Sequence, residues 1–324
     1  MTKWNHSLDV SARTCARRVF LRSRYASHQS AKGSARHEAY LLKQALDLTA
    51  WRGRLVHMAA KNWVFSDIKK RQWPDFDMVR KLAIDLVYSQ AAFSSSGLYR
   101  TSTKSAAADS YCVLRADLLG DGLTGQQLEA MCESVAASLT VLEERHAGLL
   151  DRARLAKWVD SEKEIRFRLD EEIMVEAIPD LIFCERNNRA VIVDWKVREE
   201  ATGTARDQLH TYAFAALQSG YFKEFQVDNM ELIEANLITG DAISYNVTES
   251  DLDSVDDRIF MGVELLRPIF ERPVKDCRPE DFSPANSRGA CETCSVLEVC
   301  NGSFPKKSSV QSLPLELFST RGPF

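Results

Sequence analysis

Ile178-Pro179-Asp180-Leu181-Ile182-Phe183-Cys184-Glu185-Arg186-Asn187-Asn188-Arg189-Ala190-Val191-Ile192-Val193-Asp194-Trp195-Lys196 reads as two apolar strands joined by a polar turn. Residues 181–183 and 190–193 are apolar throughout, as strands covered on both faces are. Asn187 and Asn188 suit the turn because asparagine tolerates positive φ. Side chains two apart share one face of a strand, so Asp194 and Lys196 project together. Paired as a hairpin, the pattern also brings Asp180 near Asp194. Two carboxylates that close repel unless a cation lies between them, and a hard divalent ion with oxygen ligands is the natural occupant. Lys196 on the same face could position a water or neutralise charge on a phosphate oxygen. Taken alone, an Asp-x-Lys reads as an ion pair at a strand end, so its neighbours decide.

Outward from the hairpin, the second half keeps strand period. Residues 163–169 alternate charged and apolar side chains, 173–177 follow in the same manner, and 232–238 and 243–247 read as further strands. Helices are expected over 207–218 and 252–270. The first half has helical period instead. A first helix carries Cys15, Val19, Phe20 and Leu21 behind a cap at Asp9 or Ser11. One long helix is expected over 35–68, a further one opens at Trp73-Pro74-Asp75, and residues 94–109 read as a loop. Another helix opens at Thr124-Gly125-Gln126-Gln127 with the pattern of a capping box. The fold class is therefore α/β, a mixed central sheet flanked by helices, with a largely helical N-terminal half. The tail from Lys306 is expected to be weakly ordered.

No apolar run reaches the about 20 residues of a membrane span, and the start lacks a signal-peptide core, so a cytoplasmic protein is expected. Net charge is -4, so nucleic-acid contact would have to be local. One local run stands out, since 11–37 hold Arg13, Arg17, Arg18, Arg22, Arg24, Lys32 and Arg36 with no acid. Eight cysteines in such a compartment point to metal or plain packing rather than disulfides. Cys112, Cys132 and Cys184 have apolar neighbours and read as packing. Cys291, Cys294 and Cys300 form Cys-x2-Cys-x5-Cys, with Cys15 and Cys277 left to place. No Gly-x-x-x-x-Gly-Lys-[Ser/Thr] loop occurs, so no motor is built in.

Asp180 followed by Asp194-Trp195-Lys196 resembles the core motif of the PD-(D/E)XK nuclease superfamily, in the form used by its RecB-like group. Gln208 and Tyr212 are similar to the Gln-x-x-x-Tyr motif that follows the catalytic strand in that group. Gly53 and His57 resemble its Gly-x-x-x-His. The resemblance implies a restriction-endonuclease-like fold and metal-dependent hydrolysis of DNA, as an exonuclease on single strands or ends, with little sequence specificity. It implies Mg2+ or Mn2+ held by His57, Asp180, Asp194 and the carbonyl of Trp195, and catalytic roles for Asp180, Asp194, Lys196, Gln208 and Tyr212. Cys15 with Cys291, Cys294 and Cys300 resembles the iron-sulphur staple of AddB and of the CRISPR-associated RecB-like exonucleases. Four thiolates suit a [4Fe-4S] cluster, with Zn2+ the competitor and Cys277 a rival fourth ligand. On this reading 1–305 are one nuclease domain, with 35–155 as a helical insertion, 160–270 as the core and a flexible tail over 306–324. DNA repair, CRISPR adaptation and antiphage defence all use such a nuclease, with a helicase or defence protein as partner. The alternative is a non-catalytic DNA-binding scaffold subunit.

Overall fold

In the computed structural model, which describes residues 1–199, 203–221 and 226–300, the hairpin lies at the centre of a five-stranded sheet. Among the described residues there are eight strands: β1 (Thr2–Trp4), β2 (Trp158–Ser161), β3 (Ile165–Arg168), β4 (Ile173–Ala177), β5 (Leu181–Cys184), β6 (Ala190–Lys196), β7 (Met230–Asn236) and β8 (Ala242–Tyr245). The larger sheet runs β2-β5-β6-β7-β8, antiparallel except for the parallel pair β6 and β7. A parallel neighbour needs a crossover, and the Arg206–Gln218 helix supplies it. The smaller sheet runs β1-β4-β3, with β1 parallel to β4.

One mixed sheet is expected from the sequence, and the division into two has a local cause. Pro179 has no N–H and cannot continue a ladder, so the chain leaves the small sheet after β4 and enters the large one at β5. The Arg206–Gln218 helix packs on strands of both sheets, β3 and β4 on one and β6 and β7 on the other. Residues 209–216 are buried accordingly, which is why this helix is apolar almost all round. β1 and β2 went unread because three or four residues show no period.

The helical part departs from expectation in more than one place. Residues 35–68 do not form one helix: Ala35–Gln44 ends at an extended Ala45, and Leu46 bridges to Leu114. Asp47 then caps Leu48–Ala59, its Oδ1 accepting the Ala50 N–H at 2.7 Å. Downstream, Asp75 likewise caps Phe76–Ser95, and the Thr124–Gln127 capping box opens Gly125–Arg145. Residues 94–109, expected as a loop, hold three short helical turns. No helix among the described residues is long and apolar enough to cross a membrane. The tail expected to be weakly ordered, 306–324, lies outside the described residues.

The chain gathers into two units. One comprises Met1–Arg13, Val56–Arg80 and Ala137–Glu271 and contains both sheets; the other comprises Thr14–Leu55, Lys81–Ala136 and the chain from Arg272 onward. In the first unit the Glu249–Phe270 helix is opened by a capping box of Thr248 and Asp251 and packs on β1. Gly262 makes that approach possible, because a Cβ there would overlap Asp9 Oδ1 and the buried Trp4 indole nitrogen. Gly262→Ala is expected to destabilise the protein by about 1–3 kcal/mol, the usual cost of overpacking, as read by urea denaturation.

In the second unit two arginines of the basic run are used internally. Arg17 Nε donates to Phe282 O at 3.3 Å and Arg24 Nη2 to Arg272 O at 3.0 Å, while Phe20 stacks on Phe282. They hold the segment that leads to the three clustered cysteines.

Candidate active site

β5 and β6 pair from Leu181 with Val193 to Cys184 with Ala190, and Asn188 takes the positive φ of the turn, at 66°. Asp180 lies one residue before β5, where the register sets it across from Asp194. Its Oδ2 accepts the Trp195 N–H at 2.8 Å. Its Oδ1 lies 3.4 Å from Nδ1 of His57, on the Leu48–Ala59 helix. Asp194 is 2 % exposed, and its Oδ2 lies 2.6 Å from Lys196 Nζ. That ammonium also donates to Gln208 Oε1 at 2.9 Å, and Gln208 Nε2 donates to the Tyr212 hydroxyl one helical turn on. Six side chains expected at the site are thus brought together as two linked sets: His57 with Asp180, and Asp194 with Lys196, Gln208 and Tyr212. Trp195 lies between the two aspartates' contacts, its indole buried against Phe65 and His146.

The electrostatics of this cluster favour added positive charge. Burial, and then the neighbouring Asp180, push the Asp194 carboxyl up to about 6 in spite of Lys196 and His57. Burial works against a charged His57, but Asp180 outweighs it, and Asp194 and Glu162 add to raise its pKa. Tyr212 is raised as well, by burial and then by Asp194 and Asp180, which keeps its hydroxyl protonated.

Among the described residues no three His, Cys, Asp or Glu side chains are drawn together as ligands of one ion. The carboxylates are turned instead to the Trp195 N–H, to His57 and to Lys196. The residues present nevertheless fit a hard divalent cation. Two carboxylates and an imidazole are the right donors, and the buried Asp194 carboxyl stays raised in spite of the Lys196 ammonium 2.6 Å from its Oδ2.

Glu234 is a residue that the sequence expectations missed. The parallel register sets it beside Asp194 on β7, and it is fully buried. Its Oε1 pairs with Arg198 Nη2 at 2.7 Å, while Oε2 accepts the Gly203 and Ala205 N–H groups at 3.0 Å each and the Tyr245 hydroxyl at 3.1 Å. Burial alone would raise this carboxyl, but the two N–H groups, Tyr245 and Arg198 lower it overall. Glu234 therefore stays ionised and pins the chain that leads into the Gln208 helix. The only signal was an acid in an otherwise apolar stretch, Leu232-Ile233-Glu234-Ala235.

The four cysteines expected as cluster ligands lie in the second unit. Cys15 caps the Ala16–Phe20 helix, its Sγ accepting the Arg18 N–H at 3.3 Å. Burial is the main cause that raises the Cys294 thiol, and the neighbouring Cys15 and Cys300 thiols add to it, against the Val296 N–H and Arg18. Cys294 thus feels both Cys15 and Cys300, and the Cys291 carbonyl, one turn away, accepts the Cys294 N–H at 3.0 Å, but among the described residues the thiols are not drawn together as ligands of one ion. Cys112 and Cys184 are buried, as their neighbours implied, but Cys132 is half-buried.

A family model described as the PD-(D/E)XK nuclease superfamily matches residues 10–301. That span contains every residue of the hairpin cluster and all eight cysteines. No curated protein matches the chain.

Proposed function

The chain belongs to the PD-(D/E)XK nuclease superfamily, and from that premise we propose that it is a RecB-like exonuclease that hydrolyses DNA from ends or single strands. The observation that carries the reading is the pair of buried Asp194 and half-buried Lys196, set across from Asp180 and held by Gln208. A charged pair of this kind is costly unless it is used.

His57, Asp180, Asp194 and the Trp195 carbonyl would hold Mg2+ or Mn2+. The bound ion supplies Lewis-acid stabilisation of the phosphoryl oxygen and lowers the pKa of water. The chain's own groups do the rest. Lys196 orients the attacking water and offers positive charge where the phosphorane oxygen becomes negative. Gln208 fixes that ammonium from one side, and Tyr212, kept protonated, fixes the Gln208 amide in turn. Glu234 holds the start of the helix that carries both. Labelled single strands and duplexes incubated with Mn2+ test the reading. Stepwise release of nucleotides from an end is expected; internal fragments would exclude the exonuclease, and DNA binding without hydrolysis would leave a scaffold subunit. The pathway then follows from the partner, a helicase or a CRISPR or defence protein.

We propose further that Cys15, Cys291, Cys294 and Cys300 hold a [4Fe-4S] cluster, a reading supported by the influence of Cys15 and Cys300 on the Cys294 thiol. Anaerobically purified protein is expected to contain iron and acid-labile sulphide and to show sulphur-to-iron absorption, all lost in Cys15→Ser. Stoichiometric zinc without iron would replace the cluster by a structural zinc site.

A further inference from the structure

We propose that Arg22, Lys43, Arg54 and Lys104 form a binding surface for the phosphate backbone of a nucleic-acid strand, on the unit that contains the cysteines. The inference rests on the nuclease reading for the identity of the anion, and on the placement of these residues for the surface itself. Only Arg22 belongs to the basic run visible in the sequence. The other three come from the Ala35–Gln44 helix, the Leu48–Ala59 helix and the short Lys104–Ala107 helix, and the fold assembles them.

Tyr111 ties two of them together. Arg54 Nη2 donates to its carbonyl at 3.0 Å, and Lys104 Nζ lies 5.7 Å from its ring centroid. Packing brings the other two together, since the Ala35–Gln44 helix with Lys43 lies against the Leu21–Tyr25 turn with Arg22. Lys43 is lowered by burial and then by Arg22, and Lys104 by burial and then by Arg54 and Lys43. Each cation therefore feels the next. Elsewhere in the same unit arginines are compensated, Arg100 by Glu38 and Arg115 by Glu298. Among the described residues none of these four forms an ion pair with a carboxylate.

A group of like charges, three of them half-buried and Lys104 exposed, raises the energy of the folded chain, and a polyanion is what relieves it. A succession of cations on separate elements suits repeating phosphates better than a single one. Tyr111 is 2 % exposed, so the surface offers charge without an apolar seat. That favours a phosphate chain over an acidic peptide.

The test is fluorescence anisotropy of a labelled single-stranded oligonucleotide with the full-length protein in chelator, where no cutting competes, across a series of salt concentrations. For Lys43→Gln/Lys104→Gln the expected results are an about tenfold weaker affinity and a salt slope shallower by about 1.4, or about 0.7 for each phosphate that is no longer neutralised. Lys104→Glu, at an exposed position, should weaken binding without touching the fold. Wild-type affinity and slope in both variants would overturn the surface, and so would a poly-glutamate peptide that binds in place of DNA and fails to bind the same variants. If the variants bind weakly as expected but the wild type never cuts, the nuclease reading fails and the surface stands. If the wild type cuts and the variants bind unchanged, the reverse holds.

Discussion

Asp194→Asn is expected to lower DNA cutting by at least about 10³-fold, the scale at which loss of one preorganised electrostatic group is felt, while leaving the metal-free protein no less stable than wild type. The stability half of this expectation comes from the charge balance at the site. Asp194 is buried beside Asp180, and its carboxyl is pushed from 3.8 up to about 6. A carboxyl raised on folding contributes stability below its unfolded pKa and loses it as pH rises through the folded value. His57 is raised too, and its contribution is likewise lost as pH rises through its folded pKa. Metal-free wild type should therefore melt at a lower temperature at about pH 8 than at about pH 5. Asparagine removes the Asp194 part of that slope. Mn2+ should raise the melting temperature of wild type, more at the higher pH, because it binds only the folded state. It should do little for Asp194→Asn. Melting curves in Mn2+ and in chelator check each part, and a variant that keeps both the slope and the metal response would remove Asp194 from the metal site.

Lys196→Ala is expected to lose about 10²–10⁴ in rate, the range of a positioned proton-transfer or charge-stabilising group, yet to retain the response to Mn2+. The two variants thus separate the roles. Without Lys196 the Asp194 carboxylate loses its nearest counter-charge, at 2.6 Å, so the metal-free variant should be less stable than wild type at neutral pH and Mn2+ should restore much of the difference. Lys196→Arg should not rescue cutting. The guanidinium is a planar fork, and the compact ammonium sits between Asp194 and Gln208 Oε1, 2.9 Å away. Rates under single-turnover conditions, with melts alongside, distinguish a missing chemical group from an unfolded chain.

The hairpin was legible because everything that makes it is local: two apolar runs, an asparagine turn and an Asp-x-Lys whose shared face follows from strand geometry. The crossover helix was legible by the same token, and its Gln208 and Tyr212 fell on one face by spacing alone. Features that depend on distant partners were not. β1 pairs Thr2 with Ile173, and no period in three residues announces that. The break at 45–47 turns on one aspartate cap and on Leu114, whereas the apolar period runs on through it. Glu234 was invisible as a clamp because its partners, Arg198, Gly203, Ala205 and Tyr245, come from three other segments. The internal use of Arg17 and Arg24 was hidden for a related reason. Charge is read from sequence, but the carbonyls of Arg272 and Phe282 that satisfy Arg24 and Arg17 are not.

On the proposed function, the Asp180, Asp194 and Lys196 cluster cuts DNA with a divalent metal. End-labelled single-stranded DNA, incubated with wild type in Mn2+, wild type in chelator and Lys196→Ala in Mn2+, tests it in one gel. Degradation is expected in the first reaction and intact DNA in the other two. Equal degradation by wild type and Lys196→Ala, or degradation that persists in chelator, would contradict it.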